Sequence, residues 1–219
     1  MEIRCLASHE IDAEAGLQLA VLLSRAYTDE RHARAWEGER AAAWLPQVAR
    51  VQAAHPLERV VMPDSFLAQF PTLRNARKAP EERRASLHFI AGEGGYPGTH
   101  VSLWAQRFEF EREALVGGYI EDVATDPLHL GQGMAAAAMR AAQAEAAARG
   151  LVVLGLATEI PTFYERLGWS TWRGSHTITT GEHTFPDEPL MLLPLGERGA
   201  WLGRQTGELR SERLPRFGG

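Results

Sequence analysis

The segment that most restricts the fold runs from Leu130 to Ala157. Gly131-Gln132-Gly133 opens a helix predicted to reach about Arg149, with ten alanines between Ala135 and Ala148 and a stop at Gly150. Leu151–Ala157 follows as an unbroken apolar strand, the pattern of a sheet covered on both faces. A small-residue helix can lie very close to a sheet, so this unit must sit inside an α/β structure rather than at its edge.

The flanking patterns agree. Ile3–Ala7 reads as a strand, and Asp12–Tyr27 as an amphipathic helix with Leu17, Leu19, Ala20, Leu22, Leu23 and Ala26 on one stripe. Ala41–Ala54 is predicted helical with a break at Pro46. Residues 45–85 carry Pro56, Pro63, Pro71 and Pro80 and read as an irregular insertion too short to bury a core of its own. Ser86–Glu93, Thr99–Phe110 and Ala114–Thr125 read as consecutive antiparallel strands, the last two joined tightly through Glu111-Arg112-Glu113. Pro161–Leu167 reads as a short helix closed by Gly168, Ser175–Thr180 with His183–Phe185 as a hairpin, and Leu190–Leu195 as a last strand. From Gly196 the chain is polar and rich in arginine. The expectation is one α/β (α+β) domain over residues 1–219, with a mixed, mostly antiparallel sheet and helices on its faces.

Composition excludes several chemistries. Among 219 residues Cys5 is the only cysteine and Lys78 the only lysine, and the eight histidines include no i,i+4 pair. Disulfides within the chain, multi-cysteine metal centres and a helical HExxH site are therefore out of reach, and no metal is expected. A lysine nucleophile or P-loop lysine would have to be Lys78, in a loop-like stretch. No apolar run reaches the ~20 residues of a membrane span, and no signal-peptide pattern follows Met1, so the cytoplasm is the expected compartment. A net charge of −5 argues against a nucleic-acid partner and for a cationic small-molecule substrate.

The loop before the alanine-rich helix suggests an anion site. A glycine-bearing turn at a helix N-terminus presents N–H groups and the positive end of the helix dipole. Acids normally favour such a first turn, yet no Asp or Glu occurs between Asp126 and Glu145. Close packing of a buried helix would use the same glycines, so the two readings stand side by side here.

Three runs narrow the choice. Gly118-Tyr119-Ile120-Glu121-Asp122-Val123-Ala124-Thr125-Asp126-Pro127, then Leu130-Gly131-Gln132-Gly133-Met134-Ala135, then Phe163-Tyr164-Glu165-Arg166-Leu167-Gly168-Trp169 resemble the GNAT superfamily of acetyl-CoA-dependent N-acetyltransferases. Its loop pattern [QR]-x-x-G-x-[GA] is met at Gly133 and Ala135, with Leu130 in place of Gln or Arg. The resemblance implies acetyl-CoA as cosubstrate, held by backbone of Val123, Ala124 and Thr125 along the pantetheine arm and by Leu130, Gly131, Gln132, Gly133, Met134 and Ala135 around the pyrophosphate. Within the superfamily the chain is most similar to aminoglycoside 2′-N-acetyltransferases, through Tyr119-Ile120-Glu121, Trp169–Gly174 and Pro186-Asp187-Glu188.

Two residues then acquire roles. An amine mostly protonated at neutral pH must lose a proton before attacking a thioester, and Glu121 is the candidate base, directly or through water. Alternation places it on one strand face with Tyr119, Val123 and Thr125. The bland alternative is a mid-strand glutamate paired with an arginine or pointing to solvent. Tyr164 is the candidate acid for the departing thiolate, because a phenol holds its proton at neutral pH; the alternative is an aromatic packing a helix onto the sheet. Glu30, Asp187 and Glu188 are candidate carboxylates for a cationic acceptor. His129 lies beside the phosphate loop, while His176 and His183 are expected at the surface. The competing functions are a GNAT acting on another small amine or a peptide N-terminus, and a non-catalytic acyl-CoA-binding module. A homodimer is compatible with the chain, with residues 45–85 and the tail as interface material.

Overall fold

The computed structural model describes residues 1–27, 70–76, 78, 82–92, 97–180, 183–186 and 189–217. The predicted helix at Ala41–Ala54 and the candidate carboxylates Glu30, Asp187 and Glu188 lie outside the described residues. Two compact units emerge: Met1–Arg83, His88–Ser102 and Asp122–Ala138 form the first, and Arg84–Leu87, Leu103–Glu121 and Met139–Gly219 the second.

The first unit is built on β1 (Arg4–Ala7) and α1 (Ala13–Ala26). Asp12 starts α1 by accepting the Ala15 N–H at 2.8 Å, the Asp cap that satisfies an orphan donor. The helix buries Leu19, Ala20, Leu22, Leu23 and Ala26. They pack with Phe70 and Leu73, the latter on α2 (Pro71–Ala76), and with Ile90 of β2 (Ser86–Ala91). A helical turn thus stands inside the stretch whose prolines suggested irregular chain. Pro71 occupies its first position, where the missing N–H costs nothing. β1 pairs with β2, and β2 with β3 (Thr99–Phe110).

The second unit contains most of the strands. β3 turns into β4 (Glu113–Thr125) through Glu111 and Arg112, whose φ values of 50° and 70° are those of a two-residue type I′ turn. α3 (Met134–Ala148) begins in the first unit and ends in the second. Gly150 has φ 74°. Its N–H reaches Ala147 O at 2.9 Å and the Leu151 N–H reaches Ala146 O at 3.1 Å, the paired bonds of a Schellman stop. Next come β5 (Val153–Ala157), α4 (Pro161–Glu165), β6 (Ser170–Thr171), β7 (Ser175–Thr180), β8 (His183–Pro186) and β9 (Leu190–Pro194).

The polar tail supplies two more elements, α5 (Gly196–Leu202) and β10 (Glu208–Arg213). The strand order is β6-β9-β5-β4-β3-β10-β7-β8. β4 with β5 and β10 with β7 are parallel, while β3–β10, β5–β9, β6–β9 and β7–β8 are antiparallel. The core joins Phe108, Phe110, Leu115, Tyr119, Val153, Trp172, Leu190, Leu192, Leu202 and Leu209. Gly117 allows one close approach, since a Cβ there would lie 2.5 Å from Val153 O. His176, expected at the surface, is 6% exposed on β7, and its Nε2 lies 2.9 Å from Ser211 Oγ on β10.

Candidate active site

The candidate residues fall into two groups, one in each unit. In the first unit β4 ends in a distorted segment. Asp122 has φ 51°, a left-handed residue inside an extended strand. Asp tolerates this conformation better than most residues, and its carboxylate is held: Oδ2 accepts the Thr72 N–H at 2.9 Å. The next carbonyls are taken by side chains. Asp122 O lies 2.9 Å from His100 Nδ1, Val123 O accepts from Tyr27 Oη at 3.1 Å, and Ala124 O accepts from Thr99 Oγ1 at 2.7 Å. Because the single Thr99 hydroxyl proton goes to that carbonyl, Thr125 Oγ1 is the donor in the 3.1 Å contact between the two threonines.

His88 and His100 form a buried pair behind this segment, with His88 Nδ1 3.0 Å from His100 Nε2. A carbonyl only accepts, so His100 carries its proton on Nδ1 and receives the His88 Nδ1–H on Nε2. Burial fixes this neutral arrangement. It lowers the His100 pKa to about 4 against the opposing hydrogen bond to Asp122 O. It also holds His88 well below its ordinary value, with His100 adding to the effect.

After β4, Asp126 caps a short 3₁₀ turn at Pro127–His129 by accepting the Leu128 N–H at 2.9 Å, and its other oxygen is 2.8 Å from Arg25 Nε. Gly131 and Gly133 follow with φ 78° and 75°. At both, the space where a Cβ would stand has no atom within 4 Å. The loop therefore uses glycine for its backbone conformation, and its outer side is open. α3 then begins with no acid in its first turn. Open backbone, free helix-terminal N–H groups and an absent counter-charge are what a pyrophosphate would meet.

The second unit holds Glu121 and Tyr164. The parallel β4–β5 register covers Gly118–Leu154 and Tyr119–Gly155. Two residues further along β4, Glu121 meets Arg213 of β10 through a two-pronged contact, Nη1–Oε2 at 2.7 Å and Nη2–Oε1 at 2.6 Å. The side chains are 21% and 10% exposed. The guanidinium carbon lies 4.9 Å from the centre of the Trp104 ring and 5.9 Å from that of Tyr119. The glutamate thus has the arginine partner that was one of its two sequence readings. Arg213 itself could not be singled out in the sequence, because it is one more arginine in a polar tail.

Tyr164 is 6% exposed on α4, edge-on to Phe163 and to Trp169 at ring-centre distances of 4.9 and 6.2 Å. Burial pushes its phenol pKa up to about 12, with a hydrogen bond to the Thr158 side chain acting the other way. It keeps its proton throughout the neutral range. Among the described residues, no cluster of three or more His, Cys, Asp or Glu could hold a metal ion.

Residues 65–172 match the model of the acetyltransferase (GNAT) domain. The GNAT family N-acetyltransferase YhbS of Escherichia coli, solved in complex with CoA, superposes with a TM-score of 0.52 at 14% identity, over 95% of this chain and 88% of that one. This is the GNAT fold. A GCN5-related N-acetyltransferase from Kribbella flavida matches at TM-score 0.47 and 16% identity, covering 80% of this chain and 35% of that one. A conserved protein of unknown function from Enterococcus faecalis matches at 0.46 and 16%, covering 78% and 33%. The chain thus spans about a third of the length of these last two structures. No curated protein matches it in sequence. The candidate cradle residues Val123–Thr125 and Leu130–Ala135 all lie in the first unit, and Glu121 and Tyr164 both lie in the second.

Proposed function

We propose that this protein is an N-acetyltransferase that passes acetyl directly from acetyl-CoA to a primary amine of a small molecule. The observation that carries the reading is the glycine cradle, Gly131 and Gly133 with positive φ and open space above them, leading into an α3 whose first turn lacks an acid. Among the described residues, no acid stands in the first turn of α3 to repel a diphosphate. Acetyl-CoA would supply a thioester as acyl donor, its pyrophosphate held by N–H groups of Gly131–Ala135 and its pantetheine arm by Val123, Ala124 and Thr125.

The chain's own residues divide the proton work. Glu121 accepts a proton from the acceptor amine, directly or through water. Tyr164, which keeps its proton in the neutral range, supplies one to the sulfur as the C–S bond breaks. Neither step needs an acyl-enzyme.

The acceptor we propose is a cationic amine of aminoglycoside type. Its support is the similarity around Tyr119–Glu121 and Trp169–Gly174, together with Glu30, Asp187 and Glu188 as carboxylates for its further charges. One observation favours a second reading. The Glu121–Arg213 pair is net neutral, so the carboxylate nearest the chemistry does not itself attract a polycation, and a monoamine or peptide N-terminus suits it better. Thiol release from acetyl-CoA, followed with aminoglycosides bearing or lacking a 2′-amine, simple monoamines and short peptides, tests both. Release with the 2′-amines alone supports the first reading, and release with monoamines or peptides supports the second. CoA binding with no release from any amine refutes the enzyme.

A further inference from the structure

The Glu121–Arg213 contact differs from the other ion pairs of its strand. Arg107–Glu212 has side chains 49% and 46% exposed, and Arg210–Glu208 has 61% and 49%. Pairs of that kind fix little geometry. Arg213 is 10% exposed, meets Glu121 with both terminal nitrogens, and stacks by the faces of Trp104 and Tyr119. The backbone beneath it is paired as well, with Arg213 opposite Gln106 of β3, and the neighbouring β10–β7 ladder runs as far as Glu212. A planar guanidinium flanked by two rings on a strand paired at that residue presents a rigid fork, and a carboxylate bound by such a fork has its plane and direction set. The fork takes two of the four acceptor positions of a carboxylate and leaves the carboxylate able to accept from other donors.

We propose that Arg213 is a positioning residue for Glu121: it never touches the acetyl donor, and it acts on the reaction by fixing the carboxylate that receives the amine's proton. The proposal rests on the role assigned to Glu121 above. Its distinctive consequence is that Arg213 matters only while Glu121 is a carboxylate.

A double-mutant cycle tests this, with Arg213→Gln, Glu121→Gln and the double variant assayed by thiol release on the best amine of the panel, alongside thermal melts. The expected result is a kcat lower by about 10- to 100-fold for Arg213→Gln, the scale of a misplaced catalytic group, with KM for acetyl-CoA unchanged. Arg213→Lys restores the charge without the fork and recovers only part of that loss. In the Glu121→Gln background, Arg213→Gln should change kcat by less than about twofold, since the coupling is then gone. Multiplicative losses around the cycle, full recovery with lysine, or an unchanged kcat in Arg213→Gln would each overturn the proposal. If Arg213→Gln alone fails to fold, the double variant, which leaves no buried carboxylate unpartnered, is compared directly with Glu121→Gln: equal kcat supports the proposal and a further drop overturns it. Full activity in Glu121→Gln, or no release from any amine by the unmodified protein, instead refutes the underlying function and the proposal with it.

Discussion

Under the proposed function, the backbone around Val123–Ala135 and the side chains of Glu121 and Tyr164 would work by opposite means. Around Val123–Ala135 the ligand would meet backbone, and the side chains serve the backbone: His100, Tyr27 and Thr99 donate to three successive carbonyls, and Asp126 caps the turn that leads to the glycines. At Glu121 and Tyr164 the proposed chemistry would fall to side chains with particular surroundings, an arginine fork in one case and burial in the other. The difference teaches that one region should fail in binding and the other in rate. Each prediction below can break that division.

The largest effect is expected at Tyr164. Tyr164→Phe removes the proton and little volume, so kcat should fall by about 10²- to 10⁴-fold, while calorimetric affinity for CoA stays unchanged. Weaker CoA binding with unchanged kcat would erase the division. The same substitution has a signature in stability. A phenol raised to about 12 on folding contributes stability that is complete below the unfolded value near 10 and is lost as pH rises toward 12. The unmodified protein should lose roughly 3 kcal/mol over that range from this group, and Tyr164→Phe should not.

Next comes the support beneath the cradle. Asp122→Ala strips the acceptor from the Thr72 N–H and puts alanine at φ 51°, so it should cost about 2–4 kcal/mol in denaturant unfolding. Asp122→Asn keeps an oxygen and tolerates the conformation, and should cost about 1 kcal/mol or less. Equal losses would mean that the carboxylate charge, rather than the turn, is what matters there. The histidine pair gives a pH test with the opposite sign to tyrosine. Groups whose pKa is lowered on folding contribute stability that is present above about 6.5 and is lost as pH falls toward 4. Roughly 3 kcal/mol should disappear over that interval through His100, and His100→Gln should flatten the profile.

How much of this was legible depended on whether function lay in backbone or in partners. Gly131, Gly133 and the acid-free helix start could be read directly, because a backbone site is written in which side chains are missing. Tyr164 could be read from its run of neighbours. Arg213 could not. It lies 92 residues from Glu121, and Glu208–Arg213 shows only Leu209 as an apolar mark of the strand it forms. A strand inserted between two others can afford polar alternate positions when their partners are polar too, as Ser211 against His176 shows. The left-handed conformation of Asp122 was hidden for a related reason: the N–H that holds its carboxylate belongs to Thr72, fifty residues earlier, in a stretch whose prolines suggested no regular structure.

A smaller effect is expected at the glycines themselves. Gly133→Val should lower CoA affinity by about 10-fold or more, because a β-branched residue at φ 75° costs about 1–2 kcal/mol and the backbone will relax away from the cradle to avoid it. At saturating acetyl-CoA kcat should be unchanged. A fall in kcat at saturation would show that the loop shapes the chemistry as well as the grip, and the two regions would no longer be separable.

The smallest change serves as the control for all the others. Glu111 and Arg112 occupy the left-handed positions of the β3–β4 turn at φ 50° and 70°, and both are exposed. Type I′ turns favour Asn-Gly at these positions because neither residue pays the usual Cβ penalty there. Replacing the pair by Glu111→Asn with Arg112→Gly should therefore raise stability by about 1 kcal/mol and leave both CoA affinity and kcat as they are. The turn belongs to the second unit, so a change in kcat would mean that strand register, and not only the partners of Glu121 and Tyr164, governs the rate. Stability gained with both functions untouched would confine the chemistry to those two side chains and their supports.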